Sequence, residues 1–256
     1  SIVISGTTGE SPTLTDTEKI RMFKVCKSYV GDSCQIIAGT GSNSTAHSIE
    51  LSIAAQEAGA DALLIVAPYY NKGNPEGLFG HFMSIAHAVD IPIILYNVPS
   101  RTGCNLLPET VLALADHPNI VGIKEASGNV EQMEAVCREV AKVRDKFILV
   151  SGDDGLTIEA IRRGGKGVLS VLGHLYPEAV KSITTLALEG NYDKAEYELG
   201  RLGAIIDSLF VEGNPVGIKN ALATKALCTP TVRLPLAQAS VELDIRQRIE
   251  IIKYES

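Results

Sequence analysis

The sequence predicts an α/β fold, a TIM (β/α)8-type barrel with a C-terminal helical extension, and three observations predict it. Short runs of aliphatic and β-branched residues recur, each followed by a Gly/Ser/Thr/Asn-rich segment and then an amphipathic stretch. The runs are nearly continuous in apolar character, as strands covered on both faces of a parallel sheet must be. The chain has 256 residues, 45% of them hydrophobic, close to the roughly 250 that one such barrel uses.

The strands expected, in order, are Ile2–Ser5, Gln35–Ala38, Ala62–Ala67, Pro92–Tyr96, Ile120–Lys124, Phe147–Ser151 and Gly167–Val171. Helical patterns lie between them at Asp16–Tyr29, Ser48–Ala58, Leu78–Ala88, Pro108–Ala115, Val130–Val143 and Leu156–Arg163. Thr15 ahead of Thr17-Glu18, and Pro108-Glu109, are helix starts. Gly59 after Ala58, and Gly164-Gly165 after Arg163, are stops. From Pro177 onward the pattern is helical throughout, with breaks at Gly213-Asn214-Pro215 and at Pro230 to Pro235. Residues 1–176 are therefore expected to form the barrel, and 177–256 its closing and extension helices within the same domain. Seven strands are counted where a closed parallel barrel of this size takes eight. Either the first βα unit is absent from this chain or the sheet stays open.

The composition removes several classes of function. A formal net charge of −7 with no basic run argues against nucleic acid or an acidic membrane as partner. No apolar stretch approaches the ~20 residues of a membrane span. The five cysteines are scattered without a CxxC, which fits reduced thiols in a cytoplasmic protein. The five histidines form no HExxH and no zinc spacing with the cysteines. Gly39-Thr-Gly41 lacks the third glycine of a dinucleotide fingerprint, and no Walker A sequence occurs. Ser151-Gly-Asp-Asp-Gly155 fits a helix N-cap better than a metal site. No cofactor or metal is expected.

Loops after parallel strands converge on one face, so polar residues there are candidates for a site. Lys124 closes the apolar run Ile120-Val-Gly-Ile-Lys124 and leads into a polar loop. A partly desolvated lysine there has a lowered pKa, and its neutral amine can attack a ketone. A strand-end lysine paired with an acid is the competing reading of that residue alone. Gly6-Thr-Thr-Gly-Glu-Ser11 offers hydroxyls and backbone N–H groups, a cradle for a carboxylate. Pro68-Tyr-Tyr-Asn71 and Tyr96-Asn-Val-Pro-Ser-Arg101 add tyrosine hydroxyls, which can relay protons, and a guanidinium, which binds carboxylates. The competing reading of Tyr69, Tyr70 and Tyr96 is as core aromatics.

Taken together, Gly6–Ser11, Pro68–Gly77, Tyr96–Gly103, Gly122–Gly128 and Ser151–Asp154 closely resemble the dihydrodipicolinate synthases, of the pyruvate-dependent class I aldolase superfamily that includes N-acetylneuraminate lyase. The resemblance covers essentially the whole chain. It implies that Lys124 forms an imine with pyruvate, and that Tyr96 is the general acid/base, linked to Thr7 and Tyr70 in a proton relay. In such proteins Tyr70, or its neighbour Tyr69, reaches across a dimer interface, so a homo-oligomer is implied. Thr8 would bind the pyruvate carboxylate, Arg101 that of aspartate-semialdehyde, and Gly152 and Leu169 would line the pocket. The implied reaction condenses pyruvate with aspartate-semialdehyde for diaminopimelate and lysine synthesis. The alternatives are another pyruvate-dependent aldolase or dehydratase acting on a sugar acid, and an inactive scaffold.

The family pattern begins with a further strand and helix, so the first βα unit is expected to be missing here. His174 also lacks the asparagine usual near it. At the feedback site of lysine-inhibited members Ser11 and Asn43 match. His47 stands where a glutamate would, and Asp16 and Lys19 where histidines would. Weak or absent lysine inhibition is therefore expected.

Overall fold

The computed structural model describes residues 1–255. Six strands form one parallel sheet in sequential order: β1 (Ile2–Ile4), β2 (Ile36–Gly39), β3 (Ala62–Val66), β4 (Ile93–Asn97), β5 (Ile120–Glu125) and β6 (Ile148–Ser151). Between successive strands run α1 (Asp16–Val30), α2 (Thr45–Glu57), α3 (Pro75–Ala86), the single turn α4 (Pro99–Thr102) with α5 (Pro108–Leu114), and α6 (Val130–Val140). This is a barrel-type βα succession, but with six strands in the sheet rather than seven.

The seventh expected run, Gly167–Val171, adds only a single bridge, between Val168 and Ser151. Ser151 N donates to Gly167 O at 2.8 Å, and Leu169 N donates to Ser151 O at 2.9 Å. Pairing ends there because the Asp154 carboxylate accepts from both Val171 N and Leu172 N, each at 2.9 Å. Side-chain capture of these N–H groups replaces a sheet ladder with a turn.

Side chains alternate along the strands, as period-2 geometry requires. Ala38, Leu63, Ile65, Ile93, Leu95, Ile123 and Leu149 join Phe23, Ala55, Leu78, Phe82 and Ile85 from the helices in the main apolar cluster. Ile37, Leu64, Ile94 and Tyr96 face the other way, with Val3, Val66, Val121 and Leu169 packed against them. Gly39 and Gly41 owe their place to packing: a Cβ would lie 2.2 Å from Ser5 O at Gly39 and 2.4 Å from Val66 N at Gly41.

After α7 (Thr157–Arg162) come α8 (Pro177–Leu188), α9 (Tyr192–Ser208), α10 (Val216–Thr224) and α11 (Val241–Glu255), with the expected breaks between them. Their apolar cluster includes Ile158, Ile161, Val171 and Leu172, so it straddles residue 176. Among the described residues no helix is long and apolar enough to cross a membrane.

Helix starts follow polar caps. Thr15 and Glu18 form the full capping box at α1. α2 and α3 begin earlier than expected, at Thr45 and Pro75. Ser44 accepts from His47 N, and Asn74 accepts from Gly77 N at 2.8 Å. Asn74-Pro75 is a cap followed by proline at the first helical position, a signal that outweighs the later start of apolar periodicity. Asn74→Ala should cost about 1 kcal/mol of stability, read as a lower denaturant midpoint at unchanged slope.

Candidate active site

Two of the candidate side chains, Tyr96 and Lys124, meet at the C-terminal ends of β4 and β5. Parallel register pairs Tyr96 with Lys124 and, one residue on, Asn97 with Glu125. The inward-facing pair sits amine on ring: Lys124 Nζ lies 4.4 Å from the Tyr96 ring centroid. Among the described residues no carboxylate forms a salt bridge with Lys124, so the paired-acid reading fails. A cation left on an aromatic face in an apolar layer is poorly solvated.

That burial is the main reason the lysine's pKa is lowered, from an ordinary 10.5 to about 8. The charge of Asp154 opposes the shift, and that of Arg101 adds to it. Tyr96 is 8% exposed. Burial pushes its phenol up, while Arg101 and the nearby Thr7 hydroxyl pull it down. The phenol is thus held protonated beside an amine that gives up its proton readily.

Thr7 and Thr8 lie on a one-turn 3-10 helix, Thr7–Gly9, directly after β1. Asn214 Nδ2 donates to Thr8 Oγ1 at 2.9 Å, which leaves the threonine O–H free to donate. Glu10, at the end of the same loop, accepts from Lys219 Nζ at 2.7 Å and from Arg233 N at 2.8 Å. Arg101 is on α4, exposed, and its Nη2 reaches Asn214 O at 3.5 Å. Leu169 packs beside Tyr96 in the inward cluster.

Gly152 follows β6, and its N–H donates to Glu125 O at 2.8 Å. A Cβ there would lie 2.7 Å from Ala126 Cβ and 2.8 Å from Lys124 Cε. Only a glycine leaves room for the lysine stem.

Of the three residues expected in the relay, Thr7 lies near Tyr96, and Tyr70 does not join them within this chain. Its side chain is 88% exposed and Tyr69 is 40% exposed, so neither is a core aromatic. Tyr70 is tied in by its backbone, with N–H donating to Thr102 O at 3.2 Å and a φ of 75°. Asp153 caps the turn after β6 and Asp154 holds Val171 and Leu172, so this acidic pair is used structurally.

Sequence reasoning missed Asn214 as a partner of Thr8, and the buried carboxylates of Glu10 and Glu125. Only strand alternation hinted at Glu125, since a charge next to Lys124 must face the opposite side of the sheet. Gly152→Ala should displace the Lys124 stem and lower kcat roughly 10- to 100-fold with the fold retained. Steady-state kinetics beside a melting curve checks this; unchanged kcat would contradict the close approach.

A family model described as the dihydrodipicolinate synthetase family matches residues 1–252. A 4-hydroxy-tetrahydrodipicolinate synthase from Kosmotoga olearia is 46% identical over 239 residues, 93% of this chain and 81% of the relative. The crystal structure of a dihydrodipicolinate synthase from Thermotoga maritima superposes with a TM-score of 0.97 at 35% identity, covering 100% of this chain and 87% of that one. The chloride-inhibited enzyme from Acinetobacter baumannii, complexed with pyruvate, gives 0.95 at 38% identity, covering 99% and 86%. The chain belongs to the dihydrodipicolinate synthetase family.

Proposed function

We propose that Lys124 is the imine-forming residue of a 4-hydroxy-tetrahydrodipicolinate synthase. The chain is a lyase that condenses pyruvate with L-aspartate-4-semialdehyde, in diaminopimelate and lysine synthesis. The observation that carries the residue assignment is the lysine amine seated on the Tyr96 ring with its pKa lowered to about 8.

The neutral amine attacks C2 of pyruvate, and the carbinolamine loses water to give the imine. Tyr96 donates and recovers the protons these steps need, steadied by the Thr7 hydroxyl. The Thr8 O–H binds the pyruvate carboxylate, with Leu169 and Gly152 lining the pocket. Loss of a C3 proton gives the enamine, whose C3 attacks the aldehyde carbon. The substrate's own amine then adds to C2 and expels Lys124, closing the ring. One water leaves over the cycle and the lysine returns to its starting state. Arg101, exposed on α4, takes the carboxylate of the semialdehyde. Tyr69 and Tyr70 belong to the interface of a homo-oligomer, where Tyr70 of a second copy completes the relay; their exposure supports this. Residues 1–176 and 177–256 act as one domain, because Asn214 and Lys219 hold the loop that carries Thr7 and Thr8.

Borohydride trapping with pyruvate tests the assignment. A reduced adduct should map to Lys124 and vanish in Lys124→Arg. Because the neutral amine reacts, trapping should rise about tenfold per pH unit at low pH and flatten above about 8. An adduct elsewhere, or an inflection near 10.5, would sink it.

Lysine should inhibit weakly or not at all. Asp16, the acid near the corresponding feedback site, is already paired with His47 Nε2 at 2.7 Å and Lys19 Nζ at 3.4 Å. The other His47 nitrogen meets Ser42 Oγ at 3.1 Å. Half-maximal inhibition by sub-millimolar lysine in a steady-state assay would contradict this.

A further inference from the structure

We infer that Glu125 is a positioning residue, the hub of a buried carboxylate–amide network that holds Lys124 against Tyr96 and closes the base of the Arg101 loop. The inference rests on the imine reading above. It starts from an oddity of β5: Lys124 faces inward, and the next residue, also ionisable, faces outward and is fully buried at 0% exposure. The mechanism has no step for this carboxylate.

Each partner of Glu125 is a neutral donor. Ser127 N donates to Oε1 at 2.7 Å, and Gln132 Nε2 donates to Oε2 at 3.0 Å. Asn97 Nδ2 reaches both oxygens, at 3.1 and 3.0 Å. Asn97 Nδ2 also donates to Asn105 Oδ1 at 2.7 Å, and Asn97 Oδ1 accepts from Leu106 N at 3.0 Å. Asn105 Nδ2 returns to Gln132 Oε1 at 2.8 Å. With only donors around it, the network is built for a carboxylate at 125. An amide there would set an NH2 against another N–H.

The geometry gives this cluster two tasks. Asn97 and Glu125 are cross-strand partners one step beyond Tyr96 and Lys124, so their bond pins the register that places amine over ring. Asn97 also precedes the loop bearing Arg101, and Asn105 and Leu106 follow it. The network thus clasps that loop at both ends. Misplacement by about an ångström can cost 10²-fold in rate, and among the described residues the Asn97–Glu125 pair supplies the side-chain hydrogen bonds between these two strand ends, the other side-chain contact there being the Lys124 amine on the Tyr96 ring itself.

The test is a donor–acceptor swap. Glu125→Gln should lower kcat roughly 10- to 100-fold with KM for pyruvate little changed. Adding Asn97→Asp to it returns one carboxylate to the network: it again accepts from Leu106 N, takes the new amide at 125, and accepts from Asn105 once the Asn105 and Gln132 amides turn over, which exchanges donor and acceptor at each and gives the 125 amide an acceptor in Gln132 Oε1. The double variant should recover most of the lost kcat. Asn105→Ala, at the half-buried rim, should raise KM for the semialdehyde while leaving the rate of pyruvate trapping intact.

A folded Glu125→Gln protein with kcat within about twofold of the parent would overturn the inference, as would a folded double variant with no recovery. If Glu125→Gln does not fold, Asn105→Ala decides: an unchanged KM for the semialdehyde overturns the inference. Failure of the parent chain to trap pyruvate on Lys124 would strike the imine reading instead.

Discussion

The structure depends on one register: β4 and β5 pair so that Tyr96 lies opposite Lys124. A lysine at the end of an apolar strand, without an acid beside it, is an unfavourable place for a charge. The protein relieves that cost by making the proton easier to lose, and the neutral amine that results is a nucleophile. The Tyr96 face accommodates the ammonium when it is present but does not neutralise it. A carboxylate in contact would stabilise the cation and remove its reactivity. Asp154 is near enough to bias the amine but is committed to Val171 N and Leu172 N.

The C-terminal helices are part of this arrangement. Thr8, Glu10 and Arg101 each have a partner from residues 214–233, more than a hundred positions away in sequence. The first loop is short and glycine-rich, and alone it would sample many conformations. Ties to Asn214 and Lys219 give its hydroxyls a direction. The apolar cluster of α7 to α11, which includes Val171 and Leu172, packs together the helices from which those ties come.

Much of this was legible in the sequence, and what was missed has a consistent physical reason. Six of the strand positions, the Thr15 cap and the placing of the candidate site residues on separate loops follow from local pattern and from motifs at strand ends. The seventh strand failed because a β-branched run predicts extended backbone, and cannot report that Asp154 will capture the N–H groups needed for pairing. α2 and α3 started earlier than expected because caps, not apolar periodicity, set helix ends. Asn214 shows in the sequence only as part of a helix break, since its bond to Thr8 spans 206 positions. The motif that carries Tyr70 cannot report that its ring points into solvent, 88% exposed, away from Tyr96 in this chain.

Glu125 shows why the two faces of a strand should be read together. The inward face of β5 has to tolerate a reactive, poorly solvated amine, and it can do so only if the backbone beneath it does not yield. A purely apolar outward face would pack well but would let one strand end slide or twist against the next. Directional hydrogen bonds from Asn97, Gln132 and Ser127 resist that motion, because any displacement strands a buried donor or the carboxylate itself. The same alternation that points Lys124 into the site therefore points its anchor out of it. A polar cluster on the far side of a catalytic strand is then as much a part of the site as the residues that touch substrate.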